Sequence, residues 1–317
     1  MSDDEHDHRG ADLWSPPPWR ALLAGPQTRL DALDRAATPG WSGSKDDARD
    51  RLRELGEELS DLQERLWANG KDGEGPSVLL VVQGLDTAGK GGILRHVVGM
   101  VDPQGVALRA FGRPTEEERA HHYLWRIRNA LPGPGRIGVF DRSHYEDVLV
   151  VRVEALVPPE VWAARYDEIV AFEEEVAARG TVLLKVALLI SHEEQGARLL
   201  ERLDRPDKHW KYNPGDIGTR LRWDDYQAAY QDVLDRTSTP EAPWFAIPAD
   251  HKWYARLAVA ELLTRTLRGL DLRWPAATFD VAAERARLAA TMTAPERRSV
   301  LARDEDRPPA QGAGTTR

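Results

Sequence analysis

Between Gly84 and Gly92 the chain reads GLDTAGKGG. Glycines at such spacing let the backbone curl until several N–H groups face one point, and Lys90 adds a full positive charge beside them. That combination binds phosphate. Loops of this kind usually follow the Lys with Ser or Thr, whose hydroxyl holds Mg²⁺. Here that position is Gly91, and Asp86 within the loop is the candidate replacement. A second carboxylate, Asp141, ends the apolar run RIGVF, where nucleotide-hydrolysing enzymes place an acidic metal ligand. Asp86 and Asp141 are thus the expected metal ligands. Lys90 and Arg142 are the expected phosphate clamps, and Gly84, Gly89 and Gly91 shape the cradle.

A basic segment, ARLLERLDRPDKHWKYNPGD, lies further on. Arg198 and Arg202 are four residues apart and share one helix face, and Arg205, Lys208 and Lys211 follow closely. Glu201, Asp204 and Asp207 partly offset them. One reading is a solvated helix with surface ion pairs. The other is a mobile lid that brings positive charge to a moving phosphate, because phosphoryl transfer is catalysed largely by positioning and charge. The density of Lys and Arg suits a ligand with several phosphates. Transfer onto a phosphate oxygen needs no general base, so His144 and Tyr145 read as packing or hydrogen-bonding residues. His121 and His122 read as structural.

The elements that must position these residues follow from periodicity. Five apolar runs, at 78–82, 106–111, 136–140, 181–190 and 244–247, alternate with helical patterns at 92–101, 115–130, 158–178, 196–203, 215–234 and 252–270. Alternation of this sort predicts a parallel sheet covered on both faces. Upstream, Leu52, Leu55, Leu59, Leu62 and Leu66 mark one face of a helix that packs on the domain. The expected organisation is an N-terminal extension over 1–48, partly disordered, then a phosphate-binding α/β domain over 49–275 with its lid around 196–236. A C-terminal helix and disordered tail follow over 276–317. The cluster His6, Asp7 and His8 reads as a solvated tail.

Bulk properties narrow the class. The chain has 317 residues and no Cys, which removes disulfides and thiolate chemistry. A net charge of −9 argues against a general nucleic-acid binder, although a local basic cluster can still hold an anion. The acidic start lacks the apolar core of a signal peptide, and no apolar run is long enough for a membrane helix. A soluble cytoplasmic protein is expected.

Taken in order, GLDTAGKGG, RPTEEERAHHYLWRI, GVFDRSHYEDVLVVRV, RLDRPDKHWKYNPGD and the segment from RWDDYQAAYQDV to DHKWYARLAVA resemble the type 2 polyphosphate kinase family. The resemblance runs from about Leu52 to Leu270, and Gly91 in the usual Ser/Thr place is itself the family's form. It implies a P-loop kinase-like three-layer α/β sandwich, with a five-stranded parallel sheet and a helical lid. The implied reaction is Mg²⁺-dependent (Mn²⁺ as a substitute), reversible phosphoryl transfer between inorganic polyphosphate and an adenine or guanine nucleotide. A homodimer or homotetramer is implied as well. Carried over by position, Asp86, Lys90, Asp141, Arg142 and Arg202 would be catalytic. Arg198, Arg205, Lys208 and Lys211 would guide polyphosphate, and Arg113, Thr115, Glu118 and Glu146 would lie on the nucleotide side. YED after the Asp-Arg-Ser-His run resembles the group that accepts both AMP and ADP, with Glu146 the residue to watch. That group often carries Asn where this chain has Asp141. The alternatives are an ATP-dependent nucleotide or small-molecule kinase of the same fold and, from another class, a non-catalytic polyanion-binding protein.

Overall fold

The computed structural model describes residues 13–305. The first elements are a short helix α1 (Pro18–Ala21), strand β1 (Leu23–Ala24) and the long helix α2 (Lys45–Asn69). They are followed by β2 (Ser77–Gln83), α3 (Lys90–His96), β3 (Val106–Ala110), α4 (Glu116–Ala120), α5 (Trp125–Arg128), β4 (Ile137–Asp141), α6 (Val150–Val153) and α7 (Pro159–Ala178). Next come β5 (Thr181–Leu189), α8 (His192–Asp204), α9 (Gly215–Leu221), α10 (Trp223–Thr237), β6 (Trp244–Pro248) and α11 (Lys252–Arg268). Helices α12 (Val281–Ala290) and α13 (Ala294–Glu305) close the described chain. By compactness the chain divides into two units, 1–274 and 275–317. In the second unit Asp280 caps α12 by accepting hydrogen bonds from the amides of Ala282 and Ala283.

One sheet in the order β1-β6-β5-β2-β4-β3 organises the first unit. Its central strand, β2, is buried along its whole length and runs parallel to both β4 and β5. Strand alternation sends Val78, Leu80 and Val82 into a core shared with α2 and α11, while Leu79 and Val81 enter a second core with α7 and α10. Helix α2 starts at a capping box between Ser44 and Asp47. Its stripe of Leu55, Leu59, Leu62 and Leu66 is buried, and Arg51 forms a buried ion pair with Glu261 of α11 at 2.7 Å.

Three expectations need correction. The sheet has six strands, not five, because β1 pairs antiparallel with β6 through Leu23↔Phe245 and Ala24↔Trp244. A two-residue strand carries no alternation signal, and here it follows a Pro run. Trp14, Leu22 and Trp41 also join one core, and Ala24 and Leu30 the other. The helix expected over 115–130 is two short helices, because His121 takes extended backbone (φ −113°, ψ 168°) and ends α4. The helical pattern at 215–234 likewise breaks at Arg222, between α9 and α10. The expected disorder at the chain start and His6, Asp7 and His8 lie outside the described residues, as does most of the expected tail. Among the described residues no helix is long and apolar enough to cross a membrane.

Candidate active site

The loop Gly84–Gly89 leaves the carboxyl end of β2 and feeds α3. Gly84 is required by close approach: a Cβ there would stand 2.7 Å from the Leu188 carbonyl oxygen. Gly89 is required by conformation, with φ +113° as the residue before α3. Lys90 folds back over the loop and donates hydrogen bonds to the carbonyls of Gly84 (2.6 Å) and Leu85 (3.3 Å). Burial, and then Arg142, pull the Lys90 ammonium below its ordinary pKa, while Asp86, Asp141 and Glu146 oppose the shift.

Strand β4 brings Asp141 and Arg142 beside the loop, since Val82 and Asp141 are register partners. Arg142 takes φ +63°, a left-handed conformation uncommon outside Gly. Its Nη2 lies 2.6 Å from Asp86 Oδ1. Burial works against its charge, but Glu146, Asp86 and Asp141 outweigh it, so the guanidinium is held above its ordinary pKa. Burial also raises Glu146, against the pull of Arg142 and Lys90. Asp86, Lys90, Asp141, Arg142 and Glu146 therefore form one charged group at the carboxyl ends of parallel strands.

The α8–α10 segment adds residues that periodicity did not single out. Asp216 of α9 is buried and accepts a hydrogen bond from Arg202 at 3.2 Å. Burial and the neighbouring Asp86 push the Asp216 carboxyl up to about 6. Tyr230 of α10 is buried, and its pKa is raised by burial and then by Glu146. The signal for Asp216 was its place in NPGD inside the basic segment. For Tyr230 it was its spacing of four from Tyr226, which is buried on the same face of α10.

The remaining expected residues separate by environment. Arg198 is buried and donates to the carbonyls of Thr87 (2.9 Å), Ala249 (2.7 Å) and Asp250 (2.9 Å), so it straps the glycine loop to the end of β6. Arg205 is exposed and paired with Asp207 at 2.8 Å. Lys208 pairs with Glu201, and Lys211 lies over the ring of the exposed Trp210. Thr115 and Glu118 form the capping box of α4. Glu118 also meets Arg109 at 3.5 Å and Arg126 at 3.7 Å, while Arg113 is exposed. Among the described residues, no hydrogen bond or ion pair of Thr115 or Glu118 reaches Asp86, Lys90, Asp141 or Arg142. A Cβ on Gly91 would meet nothing within 4 Å, so packing does not demand glycine there. Asp86 and Asp141 supply hard oxygen donors, a set that fits Mg²⁺, which typically takes one or two carboxylates plus substrate phosphates.

Fold and site together define an α/β protein with a Lys–Arg–carboxylate site at the carboxyl ends of parallel strands, where open α/β sheets place their ligands. The family comparison is specific: residues 42–273 match the model described as polyphosphate kinase 2 (PPK2), and the chain belongs to that family. It is 46% identical over 246 residues to an AMP/ADP-polyphosphate phosphotransferase of Meiothermus ruber, covering 78% of this chain and 91% of the relative. Identity to an ADP-polyphosphate phosphotransferase of Rhodopseudomonas palustris is 41%, over 74% of this chain and 84% of the relative. The crystal structure of polyphosphate kinase 2 from Arthrobacter aurescens TC1 superposes with a TM-score of 0.85 at 48% identity. It covers 88% of this chain and 98% of that one.

Proposed function

We propose that the chain reversibly transfers the terminal phosphoryl group of inorganic polyphosphate to AMP and to ADP. One observation carries the reading: Lys90, Arg142 and the carboxylates of Asp86 and Asp141 converge, within a chain of this family, where two parallel strands end. The glycine loop acts as the P-loop. Lys90 leaves its two loop carbonyls to bind the transferring phosphate, and Arg142 and Arg202 stabilise charge on its equatorial oxygens. The α8–α10 segment acts as a lid, with Arg205, Lys208 and Lys211 meeting the polyphosphate chain. The acceptor is itself a phosphate oxygen, so no side chain has to remove a proton. Mg²⁺ held by Asp86 and Asp141 would neutralise phosphate charge when bound.

Dual acceptance of AMP and ADP is supported by YED at Tyr145–Asp147 and by the name of the Meiothermus ruber relative. Use of guanine nucleotides and assembly as a homodimer or homotetramer rest on the resemblance alone, and work in the cytoplasm rests on the sequence composition alone. The test is a mass-resolved assay with Mg²⁺ and long-chain polyphosphate, AMP and ADP offered separately, and no ATP. ADP and ATP formed from AMP support the full reading. ATP from ADP alone removes AMP as an acceptor. No product from either, with transfer restored by ATP, moves the assignment to an ATP-dependent kinase. Lys90→Ala should lower kcat by about two to four orders of magnitude, and near-normal turnover in that variant removes Lys90 from the mechanism.

A further inference from the structure

Behind the catalytic turn lies a charged cluster that the chemistry above does not use. Glu173 of α7 and Lys185 of β5 are both fully sequestered from solvent, with Nζ 2.5 Å from Oε2. Lys185 Nζ also donates to the Tyr145 hydroxyl oxygen and to the Thr237 carbonyl, each at 2.8 Å. The other oxygen of Glu173 accepts from the Tyr145 hydroxyl at 2.8 Å and lies 3.1 Å from His144 Nε2. Thr237 is the last residue of α10, and its hydroxyl accepts from Trp244 Nε1 at 3.0 Å. One ion pair thus joins α7, β5, the root of α10 and the turn after β4.

Stability alone gives no reason for this arrangement. Desolvating two charges costs about as much as their attraction returns, and apolar replacements of similar volume often serve equally well. His144 Nδ1 and Gln83 Oε1 are also buried without a partner among the described residues, a further cost. What the cluster touches, at His144 and Tyr145, is the turn that follows the strained residue of the site. Arg142 holds its left-handed backbone two residues before His144, and such conformations persist where surroundings over-determine them. Ser143 Oγ accepts from the Tyr145 amide and from Gln83 Nε2 of β2, each at 3.2 Å, which completes the clamp.

We propose that the buried Glu173–Lys185 pair, acting through Tyr145 and His144, is a positioning device. It fixes the turn that presents Arg142 and Glu146 and ties that turn to the root of α10. The proposal rests on the phosphotransferase reading given above. Misplacing a catalytic group by about 1 Å can cost on the order of 100-fold in rate.

The test uses the full chain and a double-mutant cycle. Tyr145→Phe removes one hydroxyl, and Glu173→Gln keeps the shape while removing the charge. In folded protein each should lower kcat by about 5–50-fold with KM for polyphosphate and nucleotide within about twofold, a split expected when only transition-state contacts are lost. In an Arg142→Lys background, the same substitutions should cost far less, because residues acting through one group are not additive. Wild-type kcat in folded Tyr145→Phe, or losses that multiply fully with that of Arg142→Lys, overturns the proposal. If Glu173→Gln does not fold, Tyr145→Phe still decides it. Inactive wild-type enzyme would instead refute the phosphotransferase reading itself.

Discussion

Lys90 donates to two carbonyls of its own loop, and Arg142 is committed to Asp86 at 2.6 Å. On the reading proposed above, an arriving phosphate competes with partners already present, so Lys90 and Arg142 exchange bonds before the reaction. Asp216 adds a third carboxylate near Asp86, raised to about 6. At the back of the site, burial opposes the charge of Glu173, but Lys185 and His144 outweigh it and hold the carboxylate below its ordinary 4.5. A depressed carboxylate stabilises the fold above its unfolded pKa, and that contribution disappears as pH falls through the folded value. Glu173→Gln should therefore lose about 3–5 kcal/mol near neutral pH, the usual effect of breaking a buried pair. Urea titrations at a series of pH values should show the deficit narrowing as the medium is acidified below 4.5. A deficit independent of pH would mean that the charge of Glu173 contributes nothing.

Helix α8 carries two kinds of arginine, and the element decides which is which. Arg198 faces inward and holds Thr87, Ala249 and Asp250, whereas Arg202 faces Asp216 and the site. Beyond the helix, Arg205 and Lys208 pair with acids at the surface. Exposed pairs of this kind are worth little, about 0–1 kcal/mol, so a polyanion displaces them at low cost. Arg198→Ala should therefore lower both kcat and melting temperature, since it frees the glycine loop and orphans three carbonyls. Lys211→Ala should raise KM for polyphosphate by about 3–10-fold with the melting temperature unchanged, the loss of one partly exposed charge contact. Steady-state kinetics with thermal melts separates the two, and equal behaviour would remove the distinction.

Across the whole molecule, a net charge of −9 surrounds a local basic stretch from Arg198 to Lys211. On the reading proposed above, attraction for the polyphosphate chain beyond the reacting phosphate comes from that stretch and is screened once the Debye length falls to about 10 Å, near 0.1 M salt. KM for polyphosphate should rise several-fold between roughly 50 and 200 mM salt, more than KM for the nucleotide. A flat response would exclude the basic segment as the polyphosphate track. The segment before α2 is equally a property of the whole: Trp14 and Trp41 stack edge to face, 5.3 Å between centroids, inside the core of α2 and α11. Trp41→Ala should cost about 3–5 kcal/mol of unfolding free energy, read by denaturant titration. A cost near zero would mean that the segment only lies on the surface.

The central strand, the glycine loop, Lys90 and the Asp141–Arg142 step were legible from the chain alone, because strand, loop and helix are contiguous and their periodicities are local. So was the basic segment, as a run of charge. Sequence could not show that Arg198 is a strap while Arg202 faces Asp216, since that depends on which helix face meets the loop. The sixth strand was equally hidden, because two residues have no period and their pairing with β6 spans more than 200 positions. Glu173 falls in the helical pattern at 158–178 and Lys185 in the apolar run at 181–190, and nothing local in the chain brings the two together. Only the packing of α7, β5 and α10 around the turn after β4 placed their charges in one buried cluster, where the cost of desolvation forces them to bond each other.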